Sequence, residues 1–518
     1  MRRRLIPLAL PLAFAGVVLA GCAVTAQPAG TAQSAITSSV ETIGDVDATI
    51  PAAAAELLAA NADGTVVRDD EWSLADAATV TLEGSTATSD SAGVNVDGST
   101  VTITAAGVYR LTGTLEGQVV VEAPDDAQVV LVLDGAEIEN VSGSAIQVVT
   151  ADDVAVDLAA GSTNTVTATS SADADASAAI YADSDLTVSG SGSLTVTDSG
   201  NDGISATDDL AIIGGTITVD AADDALRGKD SLVVEDGTLT LTAGGDALKS
   251  DQEEDAAQGY VWIAGGTIDA TAGDDGIDAW TDALVTGGTV SLATDDDGIH
   301  SETSLAIAGG EVTISRSYEA IESADIRIAG GVTRLTSSDD GVNASGNATS
   351  DGGMGGGGMQ DSGETLTISG GTLVVDAGGD GLDSNGTIEM TGGEVTVYGP
   401  TAQNNGALDS NGGITVTGGT LVAIGSTGMA ESPEESSAQG WLAATASGSA
   451  GSTVQIQDAD GTVIAQYTAT KTFGSVVFSS SAITDGQSYT VTVDGTSTSV
   501  TAGVATAGGM GGGMGGRR

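Results

Sequence analysis

The feature that most constrains this chain is a repeat of about 22 residues that runs through its middle. An acidic step, in which Asp is followed by Gly or Ala and then an aliphatic residue, recurs at Asp202, Asp224, Asp246, Asp275, Asp297, Asp340 and Asp380, with Glu319 taking one turn. The successive spacings are 22, 22, 29, 22, 22, 21 and 40 residues. After each step comes an alternating strand, a tight Gly-Gly turn and a second alternating strand. Leu210, Ile212, Gly214-Gly215, Ile217 and Val219 show the pattern, and Leu305, Ile307, Gly309-Gly310, Val312 and Ile314 repeat it. Alternation on both sides of a glycine turn means short strands with one buried face. One repeat is long enough for three short strands, and stacked repeats about 4.8 Å apart pair each strand with its counterpart. No single rung can bury its own face, so neighbours supply the core. The expectation is an all-β fold: a right-handed parallel β-helix with irregular β caps.

Departures from the period set the domain plan. The 29-residue spacing holds an acidic insertion, Asp251-Gln252-Glu253-Glu254-Asp255, and the 40-residue spacing holds a Gly/Met-rich loop over residues 351–363. The β-helix is expected over residues 71–430. A C-terminal β cap follows over 431–500, where alternating residues such as Val454, Ile456, Tyr489, Val491 and Val493 suggest antiparallel strands. Residues 501–518 read as a disordered tail.

At the other end, Arg2, Arg3 and Arg4 precede an apolar run that closes on Leu19-Ala20-Gly21-Cys22. That run is short for a membrane span and ends in small residues, so 1–21 reads as a signal peptide. The ending resembles a bacterial lipobox, which makes Cys22 the lipidated first residue and 22–70 a tether to the outer face of the membrane. Cys22 is also the sole cysteine, so an internal disulfide is excluded.

Charge narrows the partners. The chain carries 14 basic and 72 acidic residues, for a formal charge of −58. Such a surface repels nucleic acid and collects cations. With one histidine and one cysteine, a zinc site is not expected. Residues at equal phase of a stacked repeat form columns, and the column at the step is almost wholly acidic. Three residues after the step come Ser205, Arg227, Lys249, Asp278, His300, Glu322, Asn343 and Asp383. Carboxylates about 5 Å apart repel by roughly 3 kcal/mol at an effective dielectric of 20. A single Asp-Gly per rung is ordinary turn chemistry. Asp274-Asp275 with Asp278, beside Asp296-Asp297, is more than a turn requires. Oxygen-only clusters suit a hard cation, and the candidate calcium ligands are Asp246, Asp274, Asp275, Asp278, Asp296 and Asp297.

The stretches Asp223–Ser231, Gly245–Ser250, Gly259–Ile263, Asp297–Ser301 and Tyr318–Ser323 resemble the clostridial cellulosome-associated family of β-helix carbohydrate-binding proteins. The resemblance spans roughly Trp72 to Gly495. It implies a calcium-containing β-helix that binds cellulose or polygalacturonate-type polymers and is similar to family 9 pectate lyases. In those lyases an Asp-Gly-Phe-Ala step and an Asp-Asp-Gly-Trp-Asp step hold the calcium, and a lysine base follows in an Asn-Gly-Phe-Lys step. Asp246-Ala247-Leu248 resembles the first. Asp274-Asp275-Gly276-Ile277-Asp278 matches the second except for its aromatic residue. Where the lysine belongs, this chain has Asp297-Gly298-Ile299-His300.

The resemblance therefore implies a lyase scaffold that keeps calcium and lacks its usual base; were the chain a lyase, His300 or Lys249 would be that base. Arg227, Lys249 and His300 are candidate contacts for sugar acids, with neutralisation of the acidic column as their other role. Tyr260, Trp262 and Trp280 are candidate stacking platforms, with strand packing as the alternative. The expected function is that of a monomeric cell-surface lipoprotein binding acidic or cellulosic polysaccharide with calcium and without cleavage. A calcium-dependent lyase and a structural adhesin are the alternatives.

Overall fold

The computed structural model describes residues 51–62, 64–346 and 361–505. The expected signal peptide, Cys22, most of the expected tether, residues 351–360 of the Gly/Met-rich loop and the end of the tail lie outside the described residues.

Within them the chain is all-β apart from two short helical segments, with mostly parallel strands in one long sheet. Each strand pairs with a strand one repeat earlier and one repeat later, so the strands form three columns. One column runs through Leu186, Leu210, Leu232, Val261, Ala283, Leu305, Ile326, Leu366, Ile388 and Ile414. A second runs through Leu194, Ile217, Leu239, Ile268, Val290, Val312, Thr333, Leu373, Val395 and Leu421. The third carries the acidic step. This pairing is compatible with the expected β-helix.

Stacking of like residues explains why the pattern holds. Leu, Ile and Val from all three columns meet in one continuous core, nearly all of them excluded from water. The Gly-Gly turns are required sterically as well as conformationally. Gly288 has φ +80°, and a Cβ on Gly287 would sit 2.3 Å from the Ala264 carbonyl oxygen in the rung below. Only glycine allows both the left-handed backbone and that approach.

At the C-terminal end the parallel order stops. Strand Phe473–Ser479 pairs antiparallel with Thr420–Gly425 and with Trp441–Gly448. A four-stranded antiparallel sheet, Thr453–Gln457, Val463–Thr468, Ser488–Val493 and Thr496–Thr501, packs over it with a separate core around Phe478, Ile456, Val491 and Leu442. The edge of strand Thr420–Gly425 in the last rung is thereby paired and not left open to other chains.

One expectation is corrected. Residues 51–70 were expected to belong to a flexible tether, yet they lie along the outside of the stack. Helix Ala52–Ala60 buries Ala54 and Leu57 against Leu284, Ala306 and Ala308. Its Ala- and Leu-rich composition favours helix locally, and the small residues of the facing strands let it approach. Beyond it, Thr65 N–H donates to Asp209 Oδ2 at 2.8 Å, Val67 N–H to Thr187 Oγ1 at 3.0 Å, and Arg68 forms a two-pronged pair with Glu235. An Ala-rich, unpatterned stretch gave no sign of a docking surface on the strands it meets. Among the described residues no helix is long and apolar enough to cross a membrane.

Candidate functional site

The third column brings the chemistry together. Strand pairing runs Ser205, Arg227, Lys249, Asp278, His300, Glu322, Asn343, Asp383 and Asp409 in unbroken register. The step residues stack beside it through a hydrogen-bond ladder. The backbone N–H of Asp246 donates to Asp224 Oδ1 at 2.8 Å, that of Asp275 to Asp246 Oδ1 at 2.9 Å, that of Asp297 to Asp275 Oδ1 at 2.8 Å, and that of Glu319 to Asp297 Oδ1 at 3.1 Å. Each aspartate therefore spends one oxygen on satisfying an amide in the next rung, which a buried N–H demands. The second oxygen of each remains for other partners.

Lys249 takes up part of that charge. Its Nζ is paired with Asp246 Oδ2 and lies 3.3 Å from Asp278 Oδ2 and 4.0 Å from Asp224 Oδ2. Burial works against the ammonium, but Asp224, Asp246 and Asp278 outweigh it and hold its pKa far above that of an ordinary lysine. His300 Nδ1 lies 3.1 Å from Asp278 Oδ1 and 4.0 Å from Asp275 Oδ2. The hydrogen bond to Asp278 raises the imidazole pKa to about 9 against the effect of burial. Arg227 is held by both oxygens of Asp251, in the acidic insertion. All three candidate cations are thus engaged by carboxylates of the chain itself.

Elsewhere on the column no cation is near enough to prevail. Burial, reinforced by Asp246, pushes Asp275 up to about 8, and burial reinforced by Asp275 does the same to Asp297. Burial raises Glu319 to about 7 and Asp383, flanked by Asp340 and Asp409, to about 8. Among the described residues three groups have ligand atoms within 4.8 Å of one another: Asp246 with Asp274 and Asp275, Asp275 with Asp278 and His300, and Asp297 with Glu319 and Glu322. Five of the six aspartates picked from the sequence fall in these groups. Asp296 is exposed and in none of them. Glu319 and Glu322 were not chosen, although they occupy the same phases of the repeat as Asp297 and His300 and were legible there.

The aromatic candidates divide. Tyr260 and Trp262 point out of the stack as alternation requires, but residues 51–70 cover them. Tyr260 is 4% exposed and its hydroxyl donates to the Ala62 carbonyl at 2.8 Å. Trp262 packs against the cluster of Ala54, Leu57, Leu284, Ala306 and Ala308, and its Nε1 donates to Thr286 Oγ1 at 2.9 Å. Of the two roles left open for these rings, Tyr260 takes the packing one, and Trp262 is half-buried in the same packing. Trp280 is 39% exposed, two residues beyond Asp278. Next to His300, a groove of about 170 Å³ is lined by His300, Ser301, Glu302, Glu322, Ser345 and Gly346. A larger one, about 560 Å³, runs over the Gly-Gly turns; Asp236 is the one charged residue in its lining, and no aromatic ring is.

Residues 97–341 match the family model described as "Carbohydrate-binding domain-containing protein". A curated protein of that same description from Acetivibrio thermocellus is 34% identical over 119 residues, which are 22% of this chain and 42% of that protein. The chain therefore spans less than half the length of that relative. A solved structure described as that of "the polysaccharide lyase-like protein from C. thermocellum, Gadolinium derivative" is 34% identical, with 45% of this chain and 96% of that chain covered and a TM-score of 0.44. The matched segment contains every rung from Asp202 to Asp340, and with them the Lys249–Asp278–His300 group. The family model and the curated relative support a carbohydrate-binding family.

Proposed function

We propose that this chain is an exported, lipid-anchored, right-handed parallel β-helix that binds polysaccharide with the help of calcium and does not cleave it. The observation that carries the reading is the convergence of Asp246, Asp274 and Asp275 oxygens within 4.8 Å, inside the segment similar to carbohydrate-binding proteins. Three carboxyl groups offer a hard cation oxygen ligands, and calcium accepts the irregular geometry of a stack of turns. A calcium ion there has open positions that a uronate carboxylate can fill. Trp280 supplies an exposed ring beside the same rung. The deciding experiment is a pull-down of the purified chain on polygalacturonate and on cellulose, with calcium and with EGTA. Retention that EGTA leaves unchanged on both polymers would defeat the calcium-dependent reading. Trp280→Ala should weaken binding about tenfold, in the range of one lost aromatic contact, while the melting temperature stays put.

The charge states argue for binding alone. Elimination from a uronide needs a base that is free of its proton. At neutral pH His300 is held protonated by Asp278, and Lys249 is held protonated by three aspartates. Neither is poised to accept a proton. Polygalacturonate incubated with the chain and calcium should give no absorbance from a new double bond. Product that forms with wild type and is lost in His300→Ala would replace the binding reading with a lyase.

Attachment to the membrane is proposed from Leu19–Cys22. Cys22→Ala should move the protein from the detergent phase to the aqueous phase, and unchanged partitioning would remove the lipid anchor from the proposal.

A further inference from the structure

Among the described residues only two aromatic side chains are exposed, Trp280 at 39% and Tyr318 at 48%. Both flank the column that carries Asp278, His300 and Glu322. Trp280 lies two residues beyond Asp278, and Tyr318 stands four residues before Glu322, next to the acidic step at Glu319. Asp278, His300 and Glu322 are register partners in three successive rungs, so the two aromatic residues sit at opposite ends of the column strand and two rungs apart. The repeat itself asks for no ring at either place. At the phase of Tyr318 the neighbouring rungs have Asp296 and Asp339, and at the phase of Trp280 they have Asp251 and Glu302. Exposed apolar residues scattered singly need no explanation. Two rings that break the repeat on the same column, within two rungs, do need one.

Both residues are fixed at their base by the stack. Trp280 N–H donates to the Ser250 carbonyl at 2.8 Å, and a Cβ on Gly259 would lie 3.1 Å from Trp280 Cβ, so the glycine leaves room where the indole begins. Tyr318 N–H donates to the Asp296 carbonyl at 2.8 Å, and its hydroxyl is hydrogen-bonded to the Asp339 carboxylate in the next rung. Ala324 holds the phase of Trp280 in the rung of Tyr318, six residues further on. With rungs about 4.8 Å apart and about 3.3 Å per strand residue, the two positions are separated diagonally by about 20 Å. The rung between them carries His300, which with Glu322 lines the groove of about 170 Å³.

We infer that Trp280 and Tyr318 are the two ends of one binding site, each stacking on a sugar ring of a single extended glycan chain that crosses the column diagonally past His300. The inference rests on the polysaccharide reading above and adds a length requirement to it. A disaccharide reaches one ring, whereas a hexasaccharide reaches both. An aromatic face meets the apolar C–H side of a sugar and leaves its hydroxyls to water and polar groups. Two weak contacts on one chain reinforce each other, because engaging the first holds the second at high local concentration. Stacking requires no ion, so the pairing stands whether or not calcium takes part.

Calorimetric titration of the full chain in calcium, with the disaccharide and the hexasaccharide of galacturonate and of cellulose, tests the inference. In the series that binds, the hexasaccharide should bind about tenfold more tightly than the disaccharide. Tyr318→Ala and Trp280→Ala should each weaken hexasaccharide binding about tenfold and disaccharide binding by no more than about twofold, so that the preference for length disappears. Tyr318→Phe keeps the ring and drops the hydrogen bond to Asp339; it should bind the hexasaccharide as wild type does. Both rings are exposed, so the melting temperatures of all three variants should match wild type. Hexasaccharide binding that survives Tyr318→Ala, or that Tyr318→Phe weakens as much as Tyr318→Ala does, would overturn the two-ring site. So would a wild type that is retained on polymer yet shows no preference for the longer oligomer; each of these results leaves the polysaccharide reading in place. A wild type that binds neither oligomers nor polymer would remove both.

Discussion

Lys249→Met should be the most damaging single substitution on the acidic column. The side chain keeps its length and apolar stem, so packing changes little. What is lost is the ammonium that faces Asp224, Asp246 and Asp278, two of which are themselves buried. Removing one partner of a buried charge set leaves the others uncompensated, at a cost of about 3–5 kcal/mol. For a domain of this size that corresponds to a fall in melting temperature of about 5 °C. The measurement is thermal unfolding in EGTA. Calcium should recover part of the loss, since Asp246, Asp274 and Asp275 then hold the cation that methionine cannot supply. Lys249→Met melting with wild type in EGTA would mean that the three carboxylates are solvated well enough to need no partner. Arg227→Ala should cost less, about 1 kcal/mol, because its partner Asp251 sits in a half-exposed insertion where water replaces the guanidinium.

The contrast between Lys249 and its neighbours also marks where the sequence could be read and where it could not. Strand pairing at a constant period follows from the spacing of the acidic steps, so the register from Ser205 to Asp383 was legible before any coordinates. The 29- and 40-residue spacings were legible as insertions for the same reason: Asp275 and Asp380 resume the phase after them. Other features depend on geometry that spacing does not encode. Whether an aspartate oxygen caps the amide of the next rung depends on the exact rise and pitch of the turn. Whether Lys249 reaches three carboxylates or points into solvent depends on rotamer and burial. Tyr260 and Trp262 face out of the stack as alternation demands, but their cover comes from residues 51–70, roughly 200 positions earlier in the chain. Nothing in an Ala-rich stretch announces a partner that far away.

In EGTA the protein should become more stable as pH falls from 8 to 5, the reverse of ordinary acid denaturation. Burial raises the folded-state pKa of Asp153, Asp202, Asp209 and Asp282 to about 6, of Asp224 and Asp380 to about 7 and of Asp383 to about 8. Unfolded aspartates titrate near 4. The folded chain therefore binds more protons than the unfolded chain between these limits, and stability falls as pH rises through the window. His300 works in the same direction. Its raised pKa contributes stability that is complete below about 6.5 and is lost as pH climbs through about 9. Asp278 is the exception, since His300 and Lys249 overcome the effect of burial and hold its pKa low, and its contribution disappears only as pH drops below the ordinary carboxylate range. That lies outside the window. One pKa unit is about 1.4 kcal/mol, and solvent screening discounts each group, so the net change from pH 8 to pH 5 should be roughly 2–4 kcal/mol. Denaturant titrations at the two pH values measure it. Calcium should flatten the dependence by stabilising the chain most at pH 8, where protons no longer compete for the carboxylates. Sodium at equal ionic strength should not, because screening acts on exposed charges far more than on these half-buried ones. Sodium matching calcium at pH 8 would mean that the stack is merely screened, and the cation site at Asp246, Asp274 and Asp275 would have to be given up.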